Sequence, residues 1–417
     1  MTQHALRRAA LIAIGLAGWA VAWSGSAAQT PTPTLIKAYF PPKGTWTQRD
    51  PATLGMDKAK LDEAIAFAAK NENTRTKDLS VDIPATFRNE APYNNLIGPT
   101  QERAGINGIV IRRGYVVASW GDTDRADMMF STTKTFLSTV VGLAYDKKLI
   151  KNVHDKVGPY MPAGVDLFAS PHNAKITWDH LLRQTSDWSG TLWGKPDWAD
   201  RPPQRQTPEQ WEKRELREPG SFYEYNDVRV NVLALAALHV MKTPLPEVLK
   251  SQIMDPIGAS NTWHWEPYTN AYVTIDGKKM PSVPGGGHHG GGMFMSAWDM
   301  ARFGYLFLRN GQWTGKRLIS TEWIGMARTP GTGTNPDSKV YGFMNWFLNV
   351  PSPATAGASG TKMYPAAPES VVAFRGNGEN LIYVDWENDL VVVVRWIGSQ
   401  ANAPNGFFKL VLDSIKR

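Results

Sequence analysis

The chain has 417 residues, 42% of them hydrophobic, which is enough for a large core in one two-lobed domain or in two domains. It contains no cysteine, which excludes disulfides, thiolate metal sites, a cysteine nucleophile and a lipid-modified N-terminal cysteine. The net charge of +7 is mild, and Lys and Arg form no blocks, so we expect no nucleic-acid partner.

The first residues have the pattern of a bacterial export signal. Arg7 and Arg8 form a basic region, the apolar run 9–23 follows, and small residues complete a predicted signal peptide over 1–28. Its cleavage would remove two arginines and no acidic residue, so the net charge would fall from +7 to +5. The apolar run is short for a membrane span, and an uncleaved anchor is the alternative. We expect a periplasmic or secreted protein without stable membrane insertion.

Hydrophobic periodicity predicts the order of the elements that follow. The segment 29–50 is rich in proline and should lie extended over the surface, ahead of one domain over 51–417. The predicted elements are a helix from near Asp57, two strands within 108–120, a helix from Ser131 to about Asp146, a helix over 228–241, two strands within 380–396 and a helix over 407–415. This order predicts an α/β (α+β) fold, in which N- and C-terminal helices flank an antiparallel sheet and a mainly helical lobe is inserted at about 150–330.

Tryptophans are concentrated in the predicted lobe, at positions 188, 193, 198 and 211. Such large aromatic side chains either pack the interior of the lobe or form the walls of a substrate cleft. Trp188 is the candidate for the second role.

A serine and a lysine lie three residues apart where a predicted strand passes into a helix, in Phe-Ser-Thr-Thr-Lys. Ser131 and Lys134 would share one helix face, where a lysine of lowered pKa can take the serine proton or tune a tyrosine that does so. The alternative is structural, with Ser131 capping the helix and Lys134 extending to water. The same spacing recurs at 359–362 in a loop-like stretch, so the spacing alone indicates little.

Other catalytic patterns are absent from the sequence, including G-x-S-x-G, His-Glu-x-x-His and a phosphate-binding loop. His288 and His289 are adjacent, and in an extended strand their side chains would point to opposite sides, so we expect no shared metal. Glycines flank the pair, so one of them, with His288 as the candidate, can still line a cleft. We therefore predict a site that needs neither metal nor cofactor.

Four segments, in a fixed order, resemble the serine β-lactamase and penicillin-binding-protein superfamily. They are M-M-F-S-T-T-K-T-F-L-S-T around Ser131, I-T-W-D-H-L-L-R-Q-T-S-D-W at 176–188, E-P-G-S-F-Y-E-Y-N-D-V-R at 218–229 and G-G-G-M-F-M-S-A-W-D-M-A-R-F-G at 290–304. The similarity is greatest to the class C-like branch, with its 6-aminohexanoate-oligomer (nylon oligomer) hydrolases and family VIII carboxylesterases. It extends from about residue 50 to the C-terminus and implies that Ser131 is the nucleophile.

The Tyr-x-Asn pattern of this family is present in altered form, as Tyr225-Asn226-Asp227. The resemblance implies that Tyr225 transfers protons, and Tyr268, which begins a strict Tyr-Thr-Asn, is its rival. Asp227 would place a carboxylate near Lys134 and raise the pKa of the lysine. Tyr225 is therefore a better candidate than Lys134 for the general base.

The Lys-Thr-Gly strand of the family is also altered, because Phe374-Arg375-Gly376 stands in its place. The resemblance implies that the backbone N–H groups of Asn377 and Ser131 hold the oxyanion, and that Gly376 allows a close approach of the backbone. Arg375 is either an outward-facing surface charge or a binder of a carboxylate. Without the Lys-Thr-Gly sequence, the chain should be a poor β-lactamase.

Together these patterns predict a serine hydrolase of carboxylesterase or amidase type, acting on small-molecule esters or amides through a covalent acyl-enzyme. The sequence does not decide between ester and amide substrates, and it does not indicate the oligomeric state. Among enzymes, the alternative is a D-Ala-D-Ala carboxypeptidase or a β-lactamase-like activity. An alternative from another class of protein is a non-catalytic protein that binds peptidoglycan fragments. Binding alone, however, does not need Ser131, Lys134 and Tyr225 together.

Overall fold

The computed structural model describes residues 38–202, 208–331, 339–349 and 362–416. The predicted signal peptide over 1–28 lies outside these described residues, as do the beginning of the proline-rich segment and Ser359 of the second Ser-x-x-Lys. From Ala38 onward, the chain belongs to one compact unit.

The described residues contain helices of three kinds and many short strands. The α-helices are α1 (Lys58–Lys70), α2 (Leu79–Thr86), α3 (Thr133–Asp146), α4 (Trp178–Leu182), α5 (Pro208–Glu212), α6 (Asp227–Met241), α7 (Leu245–Leu249), α8 (Ala297–Leu308), α9 (Thr321–Ala327) and α10 (Ala403–Asp413). The 3₁₀-helices are Pro51–Leu54, Arg88–Glu90, Phe130–Thr132, Gly158–Tyr160, Asp166–Phe168, Asn173–Lys175, Asp197–Ala199 and Gln400–Asn402, and Lys250–Met254 is a π-helix.

The strands are β1 (Asn107–Arg112), β2 (Tyr115–Trp120), β3 (Asp127–Met128), β4 (Thr191–Leu192), β5 (Lys195–Pro196), β6 (His264–Glu266), β7 (Tyr272–Ile275), β8 (Lys278–Pro281), β9 (Gly292–Met295), β10 (Gln312–Trp313), β11 (Lys316–Arg317), β12 (Tyr341–Gly342), β13 (Asn345–Trp346), β14 (Val372–Gly376), β15 (Asn380–Asp385) and β16 (Leu390–Arg395). The strands predicted within 108–120 and 380–396 are therefore confirmed, and so are the helices predicted from Asp57, over 228–241 and near the C-terminus.

Seven strands form the main sheet, in the order β12-β13-β14-β15-β16-β1-β2. Every neighbouring pair is antiparallel. The hairpin between β1 and β2 turns through Arg113 and Gly114, whose φ angles are 52° and 86°. Two successive positive φ angles suit the two-residue turn that matches the twist of a hairpin.

Helices cover both faces of the main sheet, so β1, β15 and β16 are buried along their whole length. On one face, α1 and α10 pack together over side chains such as Val110 and Val392. On the other face, α8 packs over alternate side chains such as Ile109 and Val393. The predicted fold class, an antiparallel sheet flanked by N- and C-terminal helices, is confirmed.

A second sheet of three strands, in the order β3-β9-β6, positions the candidate site. Strand β3 leads into the 3₁₀-helix that holds Ser131 and then into α3. Strand β9 pairs with β3 and directly follows the glycine-rich segment that contains His288. Because α3 also packs against α6, Lys134 on α3 and Asp227 at the start of α6 come together.

In the described part of the chain, no single helix combines the length and the apolar composition needed to cross a membrane. The helical segments Asp227–Met241 and Leu245–Met254 meet these criteria only when they are taken together, and they are bent by 72° relative to each other.

Candidate active site

Ser131 lies at the passage from β3 to α3, and the residue before it has an unusual backbone conformation. Phe130 has a φ angle of 51°, in the left-handed region that bulky residues rarely adopt. Its side chain is buried against Met128 and Phe294, so core packing holds the strained conformation in place. Ser131 does not cap α3, because that helix has no side-chain cap.

Lys134 lies one helical turn after Ser131 and is only 1% exposed, so it does not extend to water. Its Nζ donates to Ser131 Oγ at 2.8 Å and also donates to Asp227 Oδ1. Burial by itself would lower the pKa of Lys134, but the opposing attraction of Asp227 and Tyr225 raises that pKa above its ordinary value. The lysine is therefore held as an ammonium.

Asp227 is the first residue of α6 and supplies a fixed negative charge beside Lys134. Its Oδ2 accepts from His288 Nδ1 at 2.7 Å and forms an ion pair with Arg201 Nη2 at 2.6 Å. Burial opposes ionisation of the carboxyl, but Arg201, Lys134 and His288 outweigh this effect and hold the pKa of Asp227 well below its usual range.

Tyr225 lines the same cleft as Ser131. Its ring centre lies 4.9 Å from Lys134 Nζ and 5.0 Å from the guanidinium carbon of Arg201. The ring stacks on Trp346 with a centroid distance of 5.7 Å. The structure therefore brings Tyr225 together with the serine and the lysine.

Tyr268, the rival tyrosine, lies elsewhere. It is 2% exposed, and its ring packs edge-on against His289 at a centroid distance of 6.0 Å. It lines a small internal cavity with Lys195, not the cleft that Ser131 lines.

The hairpin that follows β14 approaches Ser131 closely. A Cβ atom added to Gly376 would lie 2.1 Å from the carbonyl oxygen of Met129 and 3.1 Å from the backbone nitrogen of Ser131. Only a glycine leaves room for this contact. The next residue, Asn377, lines the cleft, and its Oδ1 accepts from Arg75 Nη1 at 2.8 Å, so Arg75 fixes the position of Asn377.

Replacing Gly376 by alanine is expected to destabilise the protein by about 1–3 kcal/mol, because the new methyl group would overlap the Met129 carbonyl and push the hairpin away. Urea unfolding measures the change. Gly325, in α9, is the matched control, since a Cβ atom there meets nothing within 4 Å. Gly325→Ala should leave stability unchanged or raise it by up to about 1 kcal/mol. Equal stability of the Gly376→Ala variant and the wild type would contradict this account of the hairpin.

Arg375 already has a carboxylate partner within the chain. It forms two hydrogen bonds with Glu379, one of them from Nε to Oε2 at 2.9 Å and the other from Nη2 to Oε1. Its Nη1 faces the sulfur of Met363 at 3.5 Å. Arg375 is therefore neither a free surface charge nor an unoccupied carboxylate binder.

His288 and His289 do not lie in an extended strand, so the expectation that they point to opposite sides is wrong. The chain turns sharply at Gly290, which has a φ angle of 77°. The two ring centroids are 4.7 Å apart. Both Nε2 atoms face Lys195 Nζ, at 3.4 Å for His288 and 3.0 Å for His289.

His288 bridges two buried carboxylates. Its Nδ1 faces Asp227 Oδ2 at 2.7 Å, and its Nε2 faces Glu90 Oε2 at 2.6 Å. Phe87 stacks on the ring at a centroid distance of 3.7 Å. Each ring nitrogen of His288 thus lies within hydrogen-bonding distance of a carboxylate oxygen. His288 therefore fixes the orientation of Asp227 instead of lining the cleft.

Among the residues that the structure describes, two sets of side chains have ligand atoms close enough to hold a metal. They are Glu90, His288 and His289, and Asp200, Asp227 and His288, with ligand atoms within 4.8 Å of one another in each set. Lys195 Nζ, however, donates to Glu90 Oε2 at 2.6 Å and to Asp200 Oδ1 at 3.1 Å. An ammonium group thus supplies positive charge to both sets, and these residues fit an internal lysine better than a divalent cation.

The sequence suggested that Trp188 forms a wall of the substrate cleft. This interpretation is wrong for the Ser131 cleft, because Trp188 lies away from Ser131. Its Nε1 donates to the carbonyl of Leu167 at 2.6 Å, and the side chain lines a separate pocket together with Trp193. Packing within the middle part of the chain, the other interpretation, fits its buried position. Trp346 is the tryptophan that lines the Ser131 cleft.

The cleft has a volume of about 480 Å³ and includes residues that sequence reasoning missed. Among them are Arg75, Phe87, Arg201, Trp346 and Glu379. One local signal was the acid–base pair Asp200-Arg201, which follows three of the clustered tryptophans. Glu379 also lies only four residues after Arg375, within reach across a hairpin.

Comparison with known proteins identifies the family and the fold of the chain. The pattern of the family described as Beta-lactamase matches residues 93–404. No curated protein matches the chain. Among solved structures, a penicillin-binding protein homologue from Caulobacter crescentus is 15% identical, with a TM-score of 0.51 over 82% of this chain and 99% of that one. EstCE1, described as a hydrolase with promiscuous acyltransferase activity, is 15% identical, with a TM-score of 0.50 over 85% of this chain and 99% of that one.

A third structure, assigned to a 6-aminohexanoate-dimer hydrolase from Bacillus anthracis, is 16% identical, with a TM-score of 0.49 over 74% of this chain and 78% of that one. At such identities, similarity of structure establishes the fold alone. The family match covers most of the chain and confirms the resemblance found in the sequence. Proteins of this fold and family are generally hydrolases. The chain belongs to the Beta-lactamase family, within the serine hydrolases that share the β-lactamase fold.

Proposed function

We propose that the chain is a serine hydrolase that cleaves ester or amide bonds of small molecules through a covalent acyl-enzyme. One observation carries the proposal: Ser131 Oγ lies in a cleft at 2.8 Å from the buried Nζ of Lys134. Asp227 pairs with this buried ammonium and fixes it beside the serine hydroxyl, where its charge can assist a reaction of the serine. Family membership supports the same reaction class.

In the first step, Ser131 Oγ attacks the carbonyl carbon of the substrate. Lys134 donates to Oγ, so the hydroxyl proton points to another acceptor. Tyr225, which lines the same cleft, takes this proton as a phenolate and becomes a phenol. The carbonyl oxygen becomes an oxyanion, which the backbone N–H groups of Ser131 and Asn377 stabilise.

In the second step, the bond to the leaving group breaks, and Tyr225 returns its proton to the departing alcohol or amine. The acyl group remains on Ser131 as an ester. A water molecule then attacks this ester, the carboxylic acid leaves, and Ser131 regains its proton. Asp227 keeps Lys134 charged throughout, so the lysine acts by its positive charge.

Labelling with a fluorophosphonate probe tests the proposal, because only an activated serine is phosphonylated. We expect one adduct, on the peptide that contains Ser131, as located by mass spectrometry. Heat-denatured protein is the control and should not react. No adduct on the folded protein would favour a non-catalytic binding protein, and an adduct on another serine would place the nucleophile elsewhere. Either result would contradict the proposal.

A substrate panel then separates the possible activities. It contains short-chain p-nitrophenyl esters, 6-aminohexanoate dimer, D-amino-acid amides and nitrocefin. Because Arg375 is tied to Glu379, we expect little turnover of nitrocefin compared with the esters. We also propose export by the segment 1–28 to the periplasm or the medium, and absence of the protein from both would contradict this.

A further inference from the structure

Among the described residues, three arginines line the Ser131 cleft, and each of them is paired with a carboxylate of the chain. Arg75 forms an ion pair with Asp82. Arg201 lies between two carboxylates, with Nη1 at 2.7 Å from Asp200 and Nη2 at 2.6 Å from Asp227. Arg375 pairs with Glu379, as described above. In the described part of the cleft, no arginine keeps an uncompensated positive charge.

Arg375 and Arg75 are each neutralised by a single carboxylate, Glu379 and Asp82, whereas Arg201 lies between two. Arg75 also donates to Asn377 Oδ1 at 2.8 Å. The Arg375 side chain is 28% exposed and faces the cleft, and Glu379 is 10% exposed. Removing the charge of Glu379 would therefore leave one cation open to a substrate.

The pair is built into the hairpin beside Ser131. Arg375 lies on β14, and Glu379 lies in the turn before β15, with a φ angle of 53°. Two parallel hydrogen bonds join the guanidinium and the carboxylate, which is the strongest arrangement for such a pair. Glu379 thus occupies the face of Arg375 that a substrate carboxylate would otherwise take.

We propose that Glu379 determines specificity, and that by occupying Arg375 it restricts the Ser131 cleft to substrates without a free carboxylate. The proposal rests on the proposed hydrolase function and names its substrate class as uncharged esters or amides. A substrate carboxylate entering this cleft would lose water and gain no free cation in return, which is unfavourable.

The wild-type enzyme provides the first test. Mono-p-nitrophenyl adipate carries a free carboxylate, and its methyl ester has the same chain without the charge. After correction for the alkaline hydrolysis rates of the two compounds, kcat/KM should be at least about tenfold higher for the methyl ester. Equal or faster hydrolysis of the anionic compound would overturn the proposal without any variant.

The second test removes the charge of Glu379. In Glu379→Gln, the ratio of kcat/KM for the anionic ester over the neutral ester should rise by about tenfold or more, because Arg375 becomes free to pair with the substrate. Removing both charges, in Arg375→Gln with Glu379→Gln, should return the ratio to within about threefold of wild type. Glu387→Gln is the matched control, since Glu387 is exposed and bonds to Ser370 outside the cleft.

The outcomes separate this proposal from the proposed function. If the wild type hydrolyses both esters and Glu379→Gln leaves their ratio within twofold of wild type, the specificity proposal is wrong while the hydrolase function stands. If the wild type hydrolyses neither ester and takes no fluorophosphonate label, the hydrolase function itself is wrong. The ratio compares two substrates on one protein sample. It therefore does not change if only a fraction of the Glu379→Gln variant is folded.

Discussion

Replacing Ser131 by alanine is expected to lower kcat for p-nitrophenyl ester hydrolysis by about 10⁴- to 10⁶-fold. The acyl-enzyme cannot form without the hydroxyl, and any remaining rate would come from the oxyanion-binding groups acting on water. Initial rates with p-nitrophenyl butyrate measure the loss. Hydrolysis by Ser131→Ala at a rate near that of the wild type would exclude Ser131 as nucleophile.

The same variant should fold normally. The hydroxyl of Ser131 accepts one hydrogen bond from Lys134, and the ammonium keeps its ion pair with Asp227 when the hydroxyl is removed. We therefore expect a stability change within about 1 kcal/mol, measured by urea unfolding. Ser359→Ala, in the second Ser-x-x-Lys of the chain, is the matched control and should retain full activity.

The main sheet could be predicted because its signal is local. β1, β15 and β16 are covered on both faces, so each is a continuous apolar run that can be recognised without knowing its partners. The same holds for α6, which is buried on nearly every side and contains few polar residues. An element that is buried on all sides consists mostly of apolar residues, so its own sequence identifies it.

Ser131, Lys134, Tyr225 and Asp227 could also be named in advance, because each lies in a short segment with a recognisable pattern. Their proximity could not be derived from those patterns alone. It depends on the packing of α3 against α6 and on the pairing of β3 with β9, which join segments far apart in the chain.

The charged residues behind Lys134 could not be predicted in the same way. Lys195 lies in the two-residue strand β5, and Glu90 ends a three-residue 3₁₀-helix, so neither lies in a periodic pattern. Their burial arises from tertiary contacts with His288 and His289. The error about the histidine pair has the same origin, since it assumed a regular strand where Gly290 makes a turn.

Replacing Tyr225 by phenylalanine is expected to lower kcat/KM by about 10²- to 10⁴-fold, the range for loss of a general acid–base group. Lys134 is a poor substitute as base, because Asp227 raises its pKa and keeps the proton on it. Tyr268→Phe is the matched control, and its kcat/KM should stay within about threefold of wild type, because that side chain lies outside the cleft that Ser131 lines.

The choice of ester distinguishes proton transfer by Tyr225 from a merely structural role. A p-nitrophenolate leaves without help, whereas an alkoxide needs a proton as the bond breaks. Tyr225→Phe should therefore impair hydrolysis of an alkyl butyrate more than that of p-nitrophenyl butyrate, by at least about tenfold. Loss of packing against Trp346 would slow both esters equally, since it does not depend on the leaving group. Equal losses on the two esters would exclude proton donation from Tyr225 to the leaving group. A larger loss in Tyr268→Phe than in Tyr225→Phe would exclude Tyr225 from both proton-transfer steps and leave Lys134 as the nearest ionisable group to Ser131 Oγ.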